Sequence, residues 1–252
     1  MSLPDKPRFS GFEPASLCRY GDRFKLTLRK FVANYPDLST APDGPKARAA
    51  EKLDQSFSRA RARIFELAIC NPWDFFVTLT LNPARYDRRE LPAFRRDLSQ
   101  WIRNQRRLYG CDFRYLLIPE MHRDGAWHMH GLVAGLRESA FEFNANGYLD
   151  YPPYRDRFGF ISLSRVRVPE AVARYITKYV SKDLAARRAD VGAHLFYASR
   201  GLLGSELIDR GDFHPLAGLK PTFENDYVWV LWLDSPIELE HIPRTGRYEC
   251  DV

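Results

Sequence analysis

A chain of 252 residues, 45% hydrophobic and 28% charged, can bury a sizeable core and is too apolar to be disordered throughout. Its net charge of +6 favours a polyanionic partner without choosing among DNA, RNA and an acidic protein. Cys18, Cys70, Cys111 and Cys250 are far apart with no C-x-x-C pair, which suggests neither a zinc knuckle nor a disulfide framework and fits a reducing, intracellular setting.

Residues 1–45 are rich in Pro, Gly and charge, with one strand-like patch at Phe24–Leu28, and read as an arm or small accessory element. The N-terminus has no apolar segment behind a basic start, and no later stretch reaches the ~18–20 apolar residues of a membrane span. The expectation is a soluble cytoplasmic protein of a prokaryotic cell with no membrane partner. A basic helix is predicted from Lys46 to about Cys70, with Phe57, Ile64, Phe65 and Leu67 as its apolar stripe.

The run Phe75–Leu81 is aromatic and β-branched and stops at Asn82-Pro83, so it reads as a buried central strand. From Leu91, apolar residues recur at helical spacing through Phe94, Leu98, Trp101, Ile102 and Leu108, with arginines between them. Phe113–Pro119 and Trp127–Ala134 read as two strands of a hairpin turning at Asp124-Gly125. A short strand follows at Gly159–Ser164. A helix then starts at Pro169 and is predicted to run to Arg188, and Tyr227–Leu233 is a late strand. This order implies an α+β fold, a central mainly antiparallel sheet flanked by helices. The organisation expected is an arm and basic helix over 1–70, a core over 71–205 and an extension over 206–252 that adds a strand.

His128-Met129-His130 places two imidazoles on one face of a strand, because side chains alternate with period two. If the connection is an odd-length loop centred on Asp124, such as a three-residue turn with Gly125 left-handed, Glu120 lies opposite His128. One carboxylate and two imidazoles leave positions open for water and a phosphate oxygen, and such mixed N/O ligands suit Mg2+ or Mn2+. An isolated H-x-H is more often a polar edge strand; the carboxylate in register favours the metal. His122, in the turn, reads as a surface histidine outside the ligand set.

On the later helix Tyr175 and Tyr179 are one turn apart, flanked by Lys178 and Lys182, while Val172, Ile176, Val180 and Leu184 form a stripe for burial. A phenol with a pKa of about 10 attacks phosphorus only with a cation nearby and a polarised phosphate. The plain alternative is two amphipathic tyrosines packed at the rim of the sheet.

Three segments in order, Phe76-Val77-Thr78-Leu79-Thr80, Glu120 with Trp127-His128-Met129-His130-Gly131-Leu132, and Tyr175-Ile176-Thr177-Lys178-Tyr179-Val180-Ser181-Lys182, resemble motifs 1, 2 and 3 of rolling-circle replication initiators. These belong to the HUH endonuclease superfamily, and the likeness is greatest to Rep proteins of small single-stranded DNA phages and related plasmids. It spans about residues 73–185. The resemblance implies an RRM-like sheet, a divalent metal on Glu120, His128 and His130, and Tyr175, with Tyr179, as nucleophile, assisted by Lys178 and Lys182. It implies nicking and joining of single-stranded DNA at a replication origin through a 5′-phosphotyrosine, leaving a 3′-OH to prime synthesis. No G-x-x-x-x-G-K-[ST] loop occurs in the sequence, so unwinding falls to a host helicase and elongation to a host polymerase.

Arg85, Arg88, Arg95, Arg96 and Arg103 are placed to track phosphates, with Tyr86 and Trp127 offering stacking surfaces. Ser199-Arg200-Gly201-Leu202 resembles a segment that follows motif 3 in phage-type initiators, with no physical role apparent from sequence. Three other functions are compatible with these residues. They are a transposase or mobilisation nuclease of the same superfamily, a non-catalytic RRM-like binding protein, and a hydrolase that activates water.

Overall fold

The computed structural model describes residues 9–12, 14–32, 45–180, 194–211 and 219–239. In chain order its strands and helices are β1 (Phe9–Phe12), β2 (Ala15–Tyr20), β3 (Arg23–Val32), α1 (Pro45–Ile69), β4 (Phe75–Thr80), α2 (Leu91–Tyr109), β5 (Arg114–Met121), β6 (Trp127–Ala134), β7 (Glu142–Phe143), β8 (Leu149–Asp150), α3 (Pro152–Arg155), β9 (Ile161–Arg165), α4 (Pro169–Ile176), β10 (Tyr197–Ala198), β11 (Glu206–Gly211), β12 (Phe223–Glu224) and β13 (Val228–Leu233). They fall into two compact units, Gly44–Leu203 and a second drawn from Met1–Asp43 with Gly204–Val252.

The continuous unit is an α+β sandwich around an antiparallel sheet of order β10-β5-β6-β4-β9. Phe75, Val77 and Leu79 of β4 are buried while Phe76, Thr78 and Thr80 are half-buried, so the strand separates a dry face from a functional one. Leu98 and Ile102 of α2 and Tyr154 of α3 pack with Val77, Leu79, Leu117 and Val133 on the dry face. Helix α1 packs with α4, whose Ala173 and Ile176, with Val180 just beyond, are fully buried. The basic helix thus belongs with the sheet unit and not with an N-terminal arm.

The tyrosine helix departs from the single run expected. It is α-helical only over Pro169–Ile176 and tightens into a 3-10 turn at Thr177–Tyr179; its expected continuation to Arg188, with Lys182 and Leu184, lies outside the described residues.

The flanking unit is a six-stranded sheet of order β11-β2-β3-β13-β12, with β1 also on β3. The strand-like patch at 24–28 and the late aromatic strand pair with each other, Leu28 opposite Trp229 and Phe24 opposite Leu233. Leu17, Leu26, Leu28 and Trp229 close its core. The arm and the extension expected separately are therefore two halves of one sheet. No helix among the described residues is long and apolar enough to cross a membrane.

The S-R-G-L segment acquires a structural role. Ser199 Oγ accepts hydrogen bonds from the Tyr115 N–H (3.0 Å) and the Arg106 guanidinium (3.1 Å), and Leu203 exchanges two backbone hydrogen bonds with the Asn71 amide, each 2.9 Å. The returning chain is thereby fastened to β5 and to the end of α1.

Gly131, next to His130, is required by a close approach. A Cβ there would sit 2.1 Å from the Leu116 carbonyl oxygen and 2.9 Å from the Leu117 Cα, inside the β5–β6 pairing. Gly131→Ala is expected to destabilise the fold by about 3 kcal/mol or more, read as a lower urea midpoint at unchanged m-value.

Candidate functional site

The pairing of β6 with both neighbours arranges side chains in transverse rows. Glu120 is opposite His128, which is opposite Thr80; Ile118 is opposite His130, which is opposite Thr78. The turn has the form its sequence implied, closed by His122 N–H to the Ala126 carbonyl at 2.9 Å, with Gly125 at φ 82°. Asp124 Oδ1 accepts from the Ala126 N–H (3.0 Å), and this bond holds its carboxyl below the ordinary range.

Each histidine is oriented by a threonine of β4. Thr80 Oγ1 lies 2.9 Å from His128 Nδ1, and Thr78 Oγ1 lies 3.1 Å from His130 Nδ1. With Nδ1 engaged, Nε2 is the free donor atom on each ring, as metal-binding histidines require. His130 Nε2 is buried, lies 2.7 Å from Glu120 Oε2, and is not aligned to hydrogen-bond with it. Two electron-pair donors converging without a shared proton fit a common cation, so the residues suit the divalent metal their chemistry implies.

His122, expected outside the ligand set, converges with Glu120 and His130, whereas His128, expected within it, is not in that group. The His122 Nε2 is 4.0 Å from Glu120 Oε2, and Glu120, His122 and His130 present ligand atoms within 4.8 Å of one another. The His122 ring stacks on His128, centroids 3.7 Å apart and planes 6° apart. The signal was available in the sequence: with a three-residue turn, residue 122 is the first past the ladder, its N–H still bonded across to Ala126, two residues on from Glu120.

Tyr175 and Tyr179 lie over the same face, their hydroxyls 3.0 Å apart. The 3-10 turn does not separate them, but it makes them unequal. Tyr179 stacks on His130 with centroids 4.1 Å apart, and desolvation pushes its phenol well above the ordinary value. Tyr175 is 46% exposed. The Lys178 ammonium lies 3.5 Å from its ring centroid, and Lys178 holds the Tyr175 phenol below the ordinary value. Phe76 touches all three rings: edge-on to Tyr175 at 5.4 Å, stacked with Tyr179 at 5.9 Å and with His130 at 6.5 Å.

The arginines do not form one track. Arg95, Arg96 and Arg103 are on α2, which covers the face opposite the histidines. Arg95 stacks over Tyr197, Arg96 pairs with Asp97 and Arg103 donates to Gln100. Arg85 and Arg88 instead line a cleft with Thr80 at the histidine end of the sheet. Trp127 must be corrected as a stacking platform: it is 2% exposed in the core, because the alternation that turns His128 toward the functional face turns its neighbour inward. Tyr86 is engaged as well, its hydroxyl donating to the Arg157 carbonyl at 2.8 Å.

Burial, with the positive charge His122 can carry as the next cause, lowers the pKa of both His128 and His130 to about 4. Both are therefore neutral and ligand-competent at pH 7. Against an unfolded value near 6.5, the unfolded chain binds more protons between pH 6.5 and 4, so stability is full above that window and is lost as pH falls through it. The metal-free protein should show a melting temperature that declines from pH 6.5 to 4, and His128→Gln/His130→Gln should flatten that decline. A pH profile with equal slopes for both proteins would contradict the assignment.

Residues 74–184 match the family of replication-associated proteins of the ORF2 type. No curated protein and no solved structure matches the chain.

Proposed function

Taking as premise that residues 74–184 form a replication-associated protein domain, we propose that the chain nicks and rejoins single-stranded DNA at a replication origin through tyrosine, initiating rolling-circle replication. The observation that carries this reading is the pair of phenols, hydroxyls 3.0 Å apart, one of which, Tyr179, stacks on an imidazole whose Nε2 faces Glu120 without hydrogen bonding to it. A water-activating hydrolase has no need of a tyrosine pair at this position, and a binding module has no need of the donor set.

Glu120 and His130 would hold a divalent cation, Mg2+ or Mn2+, with the two stacked imidazoles of His122 and His128 beside them to complete the ligand set. When bound, it supplies Lewis-acid polarisation of a phosphate oxygen. Thr78 and Thr80 fix the rings. Tyr175 is the first nucleophile: it is exposed, and Lys178 favours its phenolate. Its oxygen bonds to phosphorus as the bond from phosphorus to the 3′ oxygen breaks. The phenolic proton ends on the departing oxygen, giving a 5′-phosphotyrosine and a free 3′-OH. Reversal by a 3′-OH rejoins the strand. Tyr179 accepts the second strand once Tyr175 is occupied, and Lys182 assists it. A host helicase and polymerase unwind and extend.

The test is incubation of the protein with a pool of labelled single-stranded DNAs, with and without Mn2+, followed by denaturing electrophoresis and mass mapping. A metal-dependent adduct on Tyr175 is expected, reduced on the order of 100-fold in Tyr175→Phe. Cleavage without an adduct would indicate the hydrolase, and binding without cleavage the non-catalytic module. Calorimetric Mn2+ titration should show binding lost in Glu120→Ala and His130→Ala, weakened about 10- to 100-fold in His128→Ala, and weakened less in His122→Ala.

Phe76→Ala removes the ring that both tyrosines lean on. It should redistribute the adduct between Tyr175 and Tyr179 while leaving Mn2+ affinity within about 2-fold, because no metal-ligand hydrogen bond passes through it. Peptide mapping of the adduct, beside the same calorimetry, checks both halves of that expectation.

A further inference from the structure

The transverse row that carries Glu120, His128 and Thr80 does not stop at β4. The Thr80 N–H donates to the Phe160 carbonyl at 2.9 Å, and the Asn82 N–H to the Phe158 carbonyl at 2.7 Å, so the β4–β9 pairing continues past Ile161. Phe160 therefore stands in register with Thr80 on the histidine face, two strand spacings, roughly 10 Å, from His128. It is 61% exposed, although it stands at a position where a polar residue would cost nothing.

Its position is built into the backbone. Gly159 has φ 142°, and a Cβ there would lie 2.6 Å from the Asn82 nitrogen and 2.8 Å from the Thr80 oxygen. Only glycine lets the chain press this closely on the end of β4. Below Phe160 opens a cleft of about 470 Å3 lined by Thr80, Pro83, Arg85, Arg88 and Arg155. Arg155 is neutralised by Glu142, Asp150 and Asp156. Among the described residues the Arg85 guanidinium donates to the backbone carbonyls of Asp156 and Arg155, contacts that do not compensate its charge. Arg88 meets the exposed Asp124 at 3.4 Å.

We propose that this cleft is a nucleotide subsite for single-stranded DNA, in which a base flanking the scissile phosphate stacks on Phe160 and its backbone phosphate is held by Arg85 and Arg88. An exposed aromatic ring beside cations is what a single strand recognises: every base has a face to stack, and the adjacent phosphate needs charge. The row then reads as a path across the sheet, from the cation ligands through Thr80 to the stacked base. This subsite rests on the nicking reading given above, but its binding role can be measured without catalysis.

The experiment uses the full chain without metal and a 20-nucleotide single strand in which 2-aminopurine is moved one position at a time. One position should be quenched on binding in the wild type. Phe160→Ala should abolish that quench and weaken binding about 5- to 100-fold, while Phe160→Tyr restores both. Arg88→Gln should lower the slope of log affinity against log salt by about 0.7. Equal quenching and affinity in wild type and Phe160→Ala would overturn the subsite, as would an equal loss in Phe160→Tyr, whose ring still stacks. An RNA of the same sequence quenched more strongly than DNA would overturn the DNA assignment. If these binding results hold and no DNA yields a tyrosine adduct, the nicking reading fails alone; if the adduct forms and Phe160→Ala binds normally, the subsite fails alone.

Discussion

The register of β6 between β5 and β4 is the constraint on which the site depends. Side chains in a strand alternate, so a slip of β6 by one residue would turn His128 and His130 to the α2 face, away from Glu120 on β5 and the threonines on β4. The wild-type register is held from two directions. On one side the Asp124-Gly125 turn has a length that admits only Glu120 opposite His128. On the other, Gly131 lets the strands approach where any side chain would strike the Leu116 carbonyl. The glycine after H-x-H thus helps to fix where both imidazoles stand, although its own side chain contributes nothing.

The same sheet creates an unequal environment for chemically alike groups. Burial keeps His128 and His130 neutral and therefore able to donate electron pairs. Burial also holds Tyr179 protonated against His130, whereas Tyr175, one turn earlier and beside Lys178, is eased toward its phenolate. The shared hydrogen bond between the two hydroxyls couples them, so the state of one phenol bears on the other. Phe76 packs against both tyrosine rings and the His130 imidazole.

Much of the continuous unit was legible because its signals are local. Period-two burial in Phe75–Thr80, helical spacing from Leu91 and the Asp-Gly turn each operate within one or two turns of chain, and β6 was bounded at Trp127 and Ala134 in sequence and structure alike. Glu120 opposite His128 followed from turn length alone. What escaped depended on partners distant in sequence. The Phe24–Leu28 patch had no visible purpose because its partner strand lies near the other end of the chain. Arginines that looked like one track were divided between two faces by the sheet. His122 was set aside by being assigned to the turn, when its N–H bond to Ala126 carries the hairpin one residue beyond the ladder. Phe160 had no motif at all; its place is given by continued pairing beyond a glycine.

The flanking sheet sets a schedule for making the protein. β3 pairs with β2 as soon as both are synthesised, but its other edge waits for β13. At ribosomal rates of about 5–20 residues per second, the ~200 residues between them take about 10–40 s. For that interval the nascent chain carries an unpaired strand edge, the kind of surface that recruits other chains. β3 holds Arg23, Lys25, Arg29 and Lys30 among its ten residues, a density of like charge that repels a second copy. The cations of this strand thereby act as a guard during translation, while the continuous unit is synthesised between the two halves of the flanking sheet.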